Sequence, residues 1–456
     1  MTMTYGATKQ TKAAPRPVTV SHLQLVRILL YLASYVTLFR STAMGYGYTT
    51  YVDFGQMDYA LLGALNYVVA ALVALYIVFD GPFVARKLLH SPSLLLFAAL
   101  LLVTVVGSDD PMVSLRSFGV MLIITAPILA LPARFGPAST FDVLRNFCSF
   151  AIILNLAYAI IFPQYAFQGG LNGILRGMFI HKNAFGTFMA VALVFALPKW
   201  RGLHLRSLQI KELVHAAACV IALLFLVLSR SASAWVMVAV FPCLYIGLRL
   251  ILSIRNVYHR AAAWLFAVIS TAFAVSFAYL FLFEELLLQL GRDATLTNRT
   301  KIWGSLFHLA SDRPWLGHGF GIFSRPEAFA MYWGEFGWDA TSTHNSYLEL
   351  LLNIGYIPLA ALAVIMARSM WSEVVGIRGD PRPDQLKRQV IVVLVLISAL
   401  TEAYRLLGGT FFWLAFVVCL FVDRQEDRTA GWVGRADRPG PIFSPRLAST
   451  IRVAAN

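Results

Sequence analysis

Long apolar segments with almost no charged residues recur along the whole chain. Several run for roughly 18 to 24 residues, enough to cross a hydrocarbon layer of ~30 Å as a helix. Lipid offers the backbone no hydrogen-bond partners, so a spanning segment is either a helix or part of a closed barrel. The runs are continuous rather than alternating, which excludes the barrel pattern. The sequence therefore predicts an all-α polytopic membrane protein with about twelve transmembrane helices. They are expected at 22–39, 57–79, 92–107, 117–133, 144–162, 183–198, 213–229, 232–248, 261–283, 345–366, 390–404 and 409–422.

The basic residues between these runs predict the orientation. Placing both termini in the cytoplasm puts most of the 37 Lys and Arg residues on the cytoplasmic side, as the positive-inside rule requires. The predicted organisation is then a cytoplasmic N-terminal tail, nine helices, a large periplasmic loop, three helices and a basic cytoplasmic tail. These parts correspond to residues 1–21, 22–283, 284–344, 345–422 and 423–456.

Composition agrees with this assignment. The chain is 59% hydrophobic and 13% charged, whereas a soluble domain carries about 25% charged residues. The net charge of +14 fits cationic cytoplasmic loops, so no nucleic-acid partner is expected. All four cysteines fall inside apolar segments, which argues against a disulfide framework or a zinc site.

The predicted periplasmic loop has the composition of an ordered segment. It is long for a compact protein, which is typical of functional or disordered loops, and its four tryptophans argue against disorder. An amphipathic stretch, Thr297–Ala310, predicts a short helix on the membrane surface because its apolar residues recur at helical spacing. A glycine-rich turn and an irregular lid are expected to follow it. The residues behind these inferences are Trp303, Trp315, Trp333, Trp338, Ile302, Leu306, Leu309, Gly317, Gly319 and Gly321.

Basic residues on the predicted periplasmic side run against the general trend and need a local reason. Arg230 lies in a turn too short to be a solvated loop, and it is either an anion ligand or a helix-end arginine that meets lipid phosphate or helix carbonyls. Arg299 is either an anion ligand or a surface charge of its helix. Arg176 and Lys182 either bind substrate or anchor the membrane interface, and Arg116 opens a further helix.

His344 precedes Asn345, Ser346 and a mostly apolar helix. It is either a helix cap or interface residue, or a general base, since an imidazole titrates near pH 6.5. Together with Arg299 it would offer a proton acceptor and a guanidinium suited to phosphate.

This combination indicates a particular chemistry. A site on the periplasmic side has no access to cytoplasmic nucleotide sugars, and the chain contains no phosphate-binding glycine loop of the P-loop kind. An activated donor there has to arrive attached to lipid. A polyprenyl-diphosphate glycan fits, because arginines would neutralise the diphosphate and a base would activate an acceptor hydroxyl.

Acidic pairs give little support for a metal site. Asp109-Asp110 and Glu284-Glu285 have no histidine at ligand spacing nearby, and Asp109-Asp110-Pro111 is ordinary turn composition. We expect metal-independent chemistry and no cofactor.

Several short motifs resemble the O-antigen ligase, O-antigen polymerase and exopolysaccharide polymerase family of bacterial envelope proteins. They are Ser229-Arg230-Ser231, the Arg299–Trp303 segment, the Pro314–Gly321 segment and the His344–Leu348 segment, with further likeness at Asp110-Pro111 and Ser114–Arg116. The Gly177–Asn183 segment is similar to the exopolysaccharide-polymerase branch. The resemblance covers roughly residues 90–420, and this chain has Ser231 where the family often has glycine.

The resemblance implies an inverting, metal-independent membrane glycosyltransferase with a GT-C-like fold. It assigns three catalytic residues: Arg230 and Arg299 would hold the diphosphate, and His344 would be the base or the residue that orients the acceptor. The expected substrate-binding residues are Arg116, Arg176, His181, Lys182, Asn183, Trp303, His318 and Asn345. The donor would be an undecaprenyl-diphosphate oligosaccharide at the periplasmic face of a bacterial inner membrane. Membrane lipids and polysaccharide export or chain-length proteins are the other expected partners.

Two alternatives to a polymerase stay open from the sequence. The motifs do not separate a polymerase from a ligase that transfers glycan to lipid A-core, although His181-Lys182-Asn183 favours the polymerase. A lipid-linked oligosaccharide transporter is the rival from another class. Against it, the helix interiors contain few ionisable residues, Glu349, Glu402 and Arg405 being near helix ends.

Overall fold

The protein is described here from a computed structural model. The described residues are 22–42, 60–89, 91–168, 173–199, 209–281, 299–324, 343–377, 381, 383–400, 402, 403, 406 and 408–421. The predicted tails 1–21 and 423–456, Glu284-Glu285, Trp333, Trp338 and Arg405 lie outside these residues.

The described chain is almost entirely helical, in agreement with the predicted all-α class. The helices are α1 (His22–Ser41), α2 (Ala60–Leu89), α3 (Pro92–Val106), α4 (Pro111–Ile161), α5 (Pro163–Ala166), α6 (Lys182–Ala196), α7 (Ile210–Ser229), α8 (Ala232–Leu252), α9 (Val257–Phe281), α10 (Arg299–Asp312), α11 (Ser346–Ile354), α12 (Tyr356–Gly376), α13 (Pro383–Ala399) and α14 (Phe411–Phe421). Two short antiparallel strands, β1 (Phe167–Gln168) and β2 (Ile174–Leu175), form a hairpin that the sequence did not predict.

Six of the described helices are long and apolar enough to cross a membrane, and α3, α6 and α14 are shorter apolar helices. Large apolar side chains are exposed along them, for example Val78 and Val106. Exposed apolar surface of this extent is expected when lipid rather than water surrounds the helices. The chain is therefore a multi-pass membrane protein; the count of twelve spans stays a prediction.

The predicted spans 117–133 and 144–162 lie in the two halves of α4, which are two helices that follow each other directly across a kink at Gly136. Gly136 has φ +81° at the kink, a conformation that only glycine adopts easily, and Pro137 follows it. Residues 134–143, between the two predicted spans, are helical on both sides of Gly136, so the chain turns there without a separate loop.

The predicted span 345–366 is also different in the structure. It is divided into α11 and α12 by Gly355, which has φ +67°. A Cβ atom at this glycine would lie 2.4 Å from the carbonyl carbon of Trp315. The helix breaks here because another stretch of backbone crosses it at contact distance.

Contacts at the α4 kink define one end of the helix bundle. Arg134 pairs with Asp80 of α2 at 3.2 Å. Arg145, just after the kink, forms a two-pronged ion pair with Glu212 at the start of α7. We call this the Gly136 end of the bundle.

The beginning of α13 lies at the same end. Lys387 donates to the carbonyl of Leu197, immediately after α6, at 3.3 Å. Helices α7 and α13 therefore start at the Gly136 end and α6 finishes there. The C-termini of α7 and α13 and the N-terminus of α6 consequently lie at the opposite end, which we call the Arg230 end.

Helix α4 begins and finishes at the Arg230 end. Its first half contacts the start of α14 there, since the indole nitrogen of Trp413 donates to Thr125 at 3.1 Å. Its second half reaches the segment before α6, where the amide of Met178 donates to Asn155 at 2.9 Å. This alternation of helix directions agrees with the order of the predicted topology.

Candidate functional site

Arg230 forms the junction between α7 and α8 and has an unusual backbone. Its φ of 48° and ψ of 33° place it in the left-handed region, where it ends α7. A non-glycine residue in this conformation costs on the order of 1–3 kcal/mol and tends to persist at functional sites. Its side chain is exposed at the end of the bundle. The strained turn holds the guanidinium away from both helices and leaves it accessible.

The first turn of α6 lies directly beside this junction. A Cβ atom at Gly186 would be 2.7 Å from the side chain of Ser231 and 3.1 Å from Ser229, so only glycine permits the approach. Lys182 and Asn183, one turn earlier, are partly exposed at the same end. The structure thus brings these two predicted residues close to Arg230.

His181 caps the N-terminus of α6. Its Nδ1 accepts a hydrogen bond from the amide of Asn183 at 3.2 Å. A ring nitrogen that accepts a hydrogen bond carries no proton, so the neutral ring in this arrangement carries its proton on Nε2. Helix capping therefore fixes the tautomer of this predicted substrate-binding residue.

The side chain of Arg176 donates hydrogen bonds to the protein backbone. Its side chain is buried and donates to the carbonyls of Tyr165 at 3.2 Å and Ile180 at 3.1 Å. These bonds close the loop between the β-hairpin and α6. The structure therefore gives Arg176 a role in shaping this loop, and its predicted contact with substrate stays a prediction. Asn155, which holds the same loop through Met178, was missed because nothing in the sequence pattern distinguishes it.

Helices α10 and α11 lie side by side with their N-termini together. The indole nitrogen of Trp303, one turn into α10, donates to the carbonyl of Thr343 at 3.0 Å, just before α11. The facing sides bury a small apolar core of Ile302, Leu306, Ala310, Phe323, Leu348, Leu351 and Leu352. Arg299, the first residue of α10, is therefore at the same end of the pair as His344. The predicted helix in the large loop is confirmed, and Trp303 contacts the chain beside His344.

His344 has the second unusual backbone conformation. Its φ is 50°, and within the described residues Arg230 and His344 are the two non-glycine residues with positive φ. Neighbouring side chains hold it: Thr343 donates to the carbonyl of Asn345 at 2.8 Å, and Asn345 accepts from the amides of Tyr347 and Leu348. Asn345, which the sequence predicted to bind substrate, is thus the N-cap of α11.

His318 is buried beneath the α10–α11 pair. Its Nδ1 lies 2.7 Å from a carboxylate oxygen of Asp109, and its Nε2 lies 3.2 Å from the carbonyl of Leu309 in α10. Asp109 also pairs with Arg313 at 2.7 Å. These contacts tie His318 to the protein; its predicted contact with substrate stays a prediction. Arg116 lies exposed on the second turn of α4, at the Arg230 end.

Helix α13 links the two halves of the site. It packs against α6 and α8, and near its C-terminus Tyr347 of α11 donates its hydroxyl to the carbonyl of Leu396 at 3.0 Å. Ser346 donates to the carbonyl of Glu402, beyond the end of α13, at 2.7 Å. Arg230 with the start of α6, and His344 with α10, therefore flank one helix at one end of the bundle.

The site contains cations, an imidazole and helix N-termini, which suit an anionic ligand. Helix α10 and α11 both point their N-termini toward the His344 segment, and the positive ends of helix dipoles favour anions. In the described part of the chain, no group of three or more His, Cys, Asp or Glu side chains could hold a metal ion. The arrangement can bind phosphate and accept a proton.

The helices and this site define a multi-pass membrane protein with a basic site at one end of its bundle. Residues 217–363 match the family model described as O-antigen ligase, and this segment contains Arg230, Arg299, His318 and His344. The resemblance inferred from the motifs is thereby confirmed.

One curated relative is similar over a larger part of the chain. It is the exopolysaccharide production protein ExoQ of Rhizobium meliloti (strain 1021), 24% identical over 258 residues, which cover 54% of this chain and 58% of that protein. No solved structure matches the chain significantly.

Proposed function

We propose that the protein transfers and polymerises undecaprenyl-diphosphate-linked glycan repeat units at the periplasmic face of the bacterial inner membrane. One observation carries the proposal above the others: Arg230 and His344, assigned to catalysis from their motifs, are the non-glycine residues with left-handed backbones in the described chain. Strain of this kind is retained where the surrounding structure enforces it, and it concentrates at functional sites. The family match and the relative's name support the same class of reaction.

Each residue has a separate task in this reaction. His344 accepts the proton of the acceptor sugar hydroxyl as the oxygen attacks the anomeric carbon of the donor. The bond between that carbon and the diphosphate oxygen breaks, and the configuration at the carbon inverts. Arg230 and Arg299 stabilise the charge on the departing diphosphate through paired N–H groups. The N-termini of α10 and α11 add to this positive field, and no metal is required.

A substitution of Arg299 tests the role of its guanidinium. Lysine keeps the charge but loses the planar, two-pronged recognition of phosphate. Since a hydrogen bond to a charged group contributes about 1.5–3 kcal/mol, we expect Arg299→Lys to lower turnover by roughly 10- to 100-fold. The measurement is the initial rate of product formation by purified protein in detergent. Full activity would reduce Arg299 to a surface charge of α10.

The topology proposed with this function places twelve helices across the membrane, with both termini in the cytoplasm. The large loop, including Phe320, is then periplasmic. A reporter enzyme that is active only in the periplasm, fused after residue 320, should be active, and one fused after residue 205 should be inactive. The reverse pattern would remove the site from the side where lipid-linked donors are available.

The product decides between polymerase and ligase. We favour the polymerase because the relative is named for exopolysaccharide production, while the family description names the ligase. Purified protein given only a polyprenyl-diphosphate oligosaccharide should produce a ladder of products on a gel. Transfer that appears only after lipid A-core is added would identify a ligase. An absence of turnover with both acceptors would favour transport of the lipid-linked glycan.

A further inference from the structure

His318 lies where three parts of the structure meet. Its amide donates to the carbonyl of Leu352 near the end of α11 at 2.8 Å, and its ring contacts Leu309 in the last turns of α10. Its carbonyl accepts from the amide of Asp109, between α3 and α4, at 2.8 Å, and its ring contacts the carboxylate of the same residue. One residue therefore connects both helices of the α10–α11 pair to the membrane bundle.

The backbone around His318 has no space to adjust. A Cβ atom at Gly317 would lie 2.6 Å from the backbone of Asn353, and one at Gly319 would lie 1.9 Å from the side chain of Ser108. Both glycines have positive φ, at 67° and 124°. The loop is thus in direct contact with α11 on one side and with the α3–α4 junction on the other.

The ring of His318 adds a side-chain contact with α10 to the backbone hydrogen bond from Gly317 to Arg313, the residue after α10, at 3.0 Å. One ring nitrogen lies 2.7 Å from Asp109 and the other lies 3.2 Å from the carbonyl of Leu309, so the ring spans the distance between the α3–α4 junction and α10. Asp109 is held in place in turn by Arg313, which also donates to the carbonyl of Gly107 at 3.2 Å. This chain of contacts joins the C-terminal end of α10 to the α3–α4 junction of the bundle.

The orientation of α10 determines where Arg299 lies, because the helix is held at one end and carries Arg299 at the other. His318 holds its C-terminal end, and Arg299 is its first residue. A helix of 14 residues is about 20 Å long, so a tilt of about 10° at the held end displaces the other end by about 3 Å. A misplacement of about 1 Å in a catalytic group can cost about 100-fold in rate.

We propose that His318 and Asp109 are positioning residues, which fix the distance between the N-terminus of α10 with Arg299 and the N-terminus of α11 with His344. The roles of Arg299 and His344 in this statement rest on the proposed function. His318 then acts from beneath the α10–α11 pair and does not touch the substrate.

Two substitutions test the proposal by activity. We expect His318→Asn to lower turnover by about 100-fold, because the shorter amide reaches only one of the two acceptors. We expect Asp109→Asn to lower turnover by roughly tenfold, since it keeps one acceptor oxygen but loses the charge that holds Arg313. The matched control is Asp110→Asn: Asp110 caps α4 by accepting from Val113, and asparagine caps equally well, so turnover should not change.

A distance measurement distinguishes positioning from substrate contact. Spin labels attached at Gly304→Cys in α10 and Met112→Cys in α4, with Cys219 and Cys243 replaced by alanine, report the position of α10 relative to the bundle. Gly304 has no neighbour within 4 Å of an added Cβ atom, and Met112 is 74% exposed, so both labels are accommodated. The proposal predicts a narrow distance distribution in the parent protein that broadens or shifts in His318→Asn and Asp109→Asn but not in Asp110→Asn.

The outcomes separate clearly. Reduced turnover with an unchanged distance distribution would mean that His318 contacts the substrate itself, and unchanged turnover would mean that neither contact matters; either result overturns the proposal. Should His318→Asn fail to fold, Asp109→Asn decides by the same two measurements. If the parent protein makes no product from any donor, the proposed function fails, while an unaltered distance distribution in the variants separately overturns the positioning of α10.

Discussion

Replacing His344 by glycine should reduce turnover by about 1,000-fold while leaving the protein as stable as the parent. The reason for choosing glycine is the φ of 50° at this position, which glycine adopts without strain. General-base catalysis contributes about 10²- to 10⁴-fold, and the variant loses all of it. The rate is measured as glycan product per minute in detergent, and stability as the midpoint of thermal unfolding.

The backbone of His344 allows a second, sharper comparison. Asparagine also tolerates the left-handed region and retains hydrogen-bonding groups, but it cannot accept a proton near neutral pH. His344→Asn should therefore be as slow as His344→Gly. If the asparagine variant keeps most of the activity, the side chain orients the acceptor by hydrogen bonding and does not act as the base.

Arg230→Gly should reduce turnover by about 1,000-fold with no loss of stability. Glycine relieves the backbone strain at φ 48°, so the substitution removes the guanidinium without disturbing the end of α7. Two charge-assisted hydrogen bonds to a phosphate, each contributing about 1.5–3 kcal/mol, would be lost. The same assay and the same unfolding measurement apply, with binding of the diphosphate donor followed separately by retention of a labelled lipid.

The control for Arg230 is a second charge at the same end. Arg116 is exposed on α4, and its motif predicts substrate binding. It lies outside helices α6, α7 and α8, which surround Arg230, and outside the α10–α11 pair. Arg116→Gln should lower turnover far less than Arg230→Gly. Equal losses in both variants would show that general attraction of the anionic donor, rather than local recognition at Arg230, accounts for the effect.

Residues whose signals are local in the sequence were predictable. The junction at Arg230 interrupts two apolar runs, and Asn345 precedes an apolar helix, so both helix ends were expected close to where they lie. The helix beginning at Arg299 follows from the spacing of its apolar residues. Local patterns determine these features because helix ends and amphipathic faces depend on neighbouring residues.

Contacts between distant residues were not predictable from such patterns. The bond between His318 and Asp109 joins residues 209 positions apart, and the Asp109-Asp110 pair was interpreted as ordinary turn composition. Likewise, the helix breaks at Gly355 because the backbone of Trp315 crosses there. The apolar residues around Gly355 give no indication of this contact. Arg176 has the charge of a phosphate ligand. That its side chain is buried and donates to backbone carbonyls is visible only in the structure.

At the Gly136 end of the bundle, buried charged side chains join the helices to one another. Arg388 pairs with Glu373 at 3.0 Å, and both side chains are about 4% exposed. Buried Arg260 donates to the carbonyl of Ile377, the residue after α12, at 3.0 Å. Removing one partner of a buried ion pair costs about 3–5 kcal/mol because the other charge stays buried without its partner, so these contacts tie the helices together at this end. If the protein is the polymerase proposed above, the growing chain would leave from the Arg230 end, and each added unit would push it outward or sideways from there.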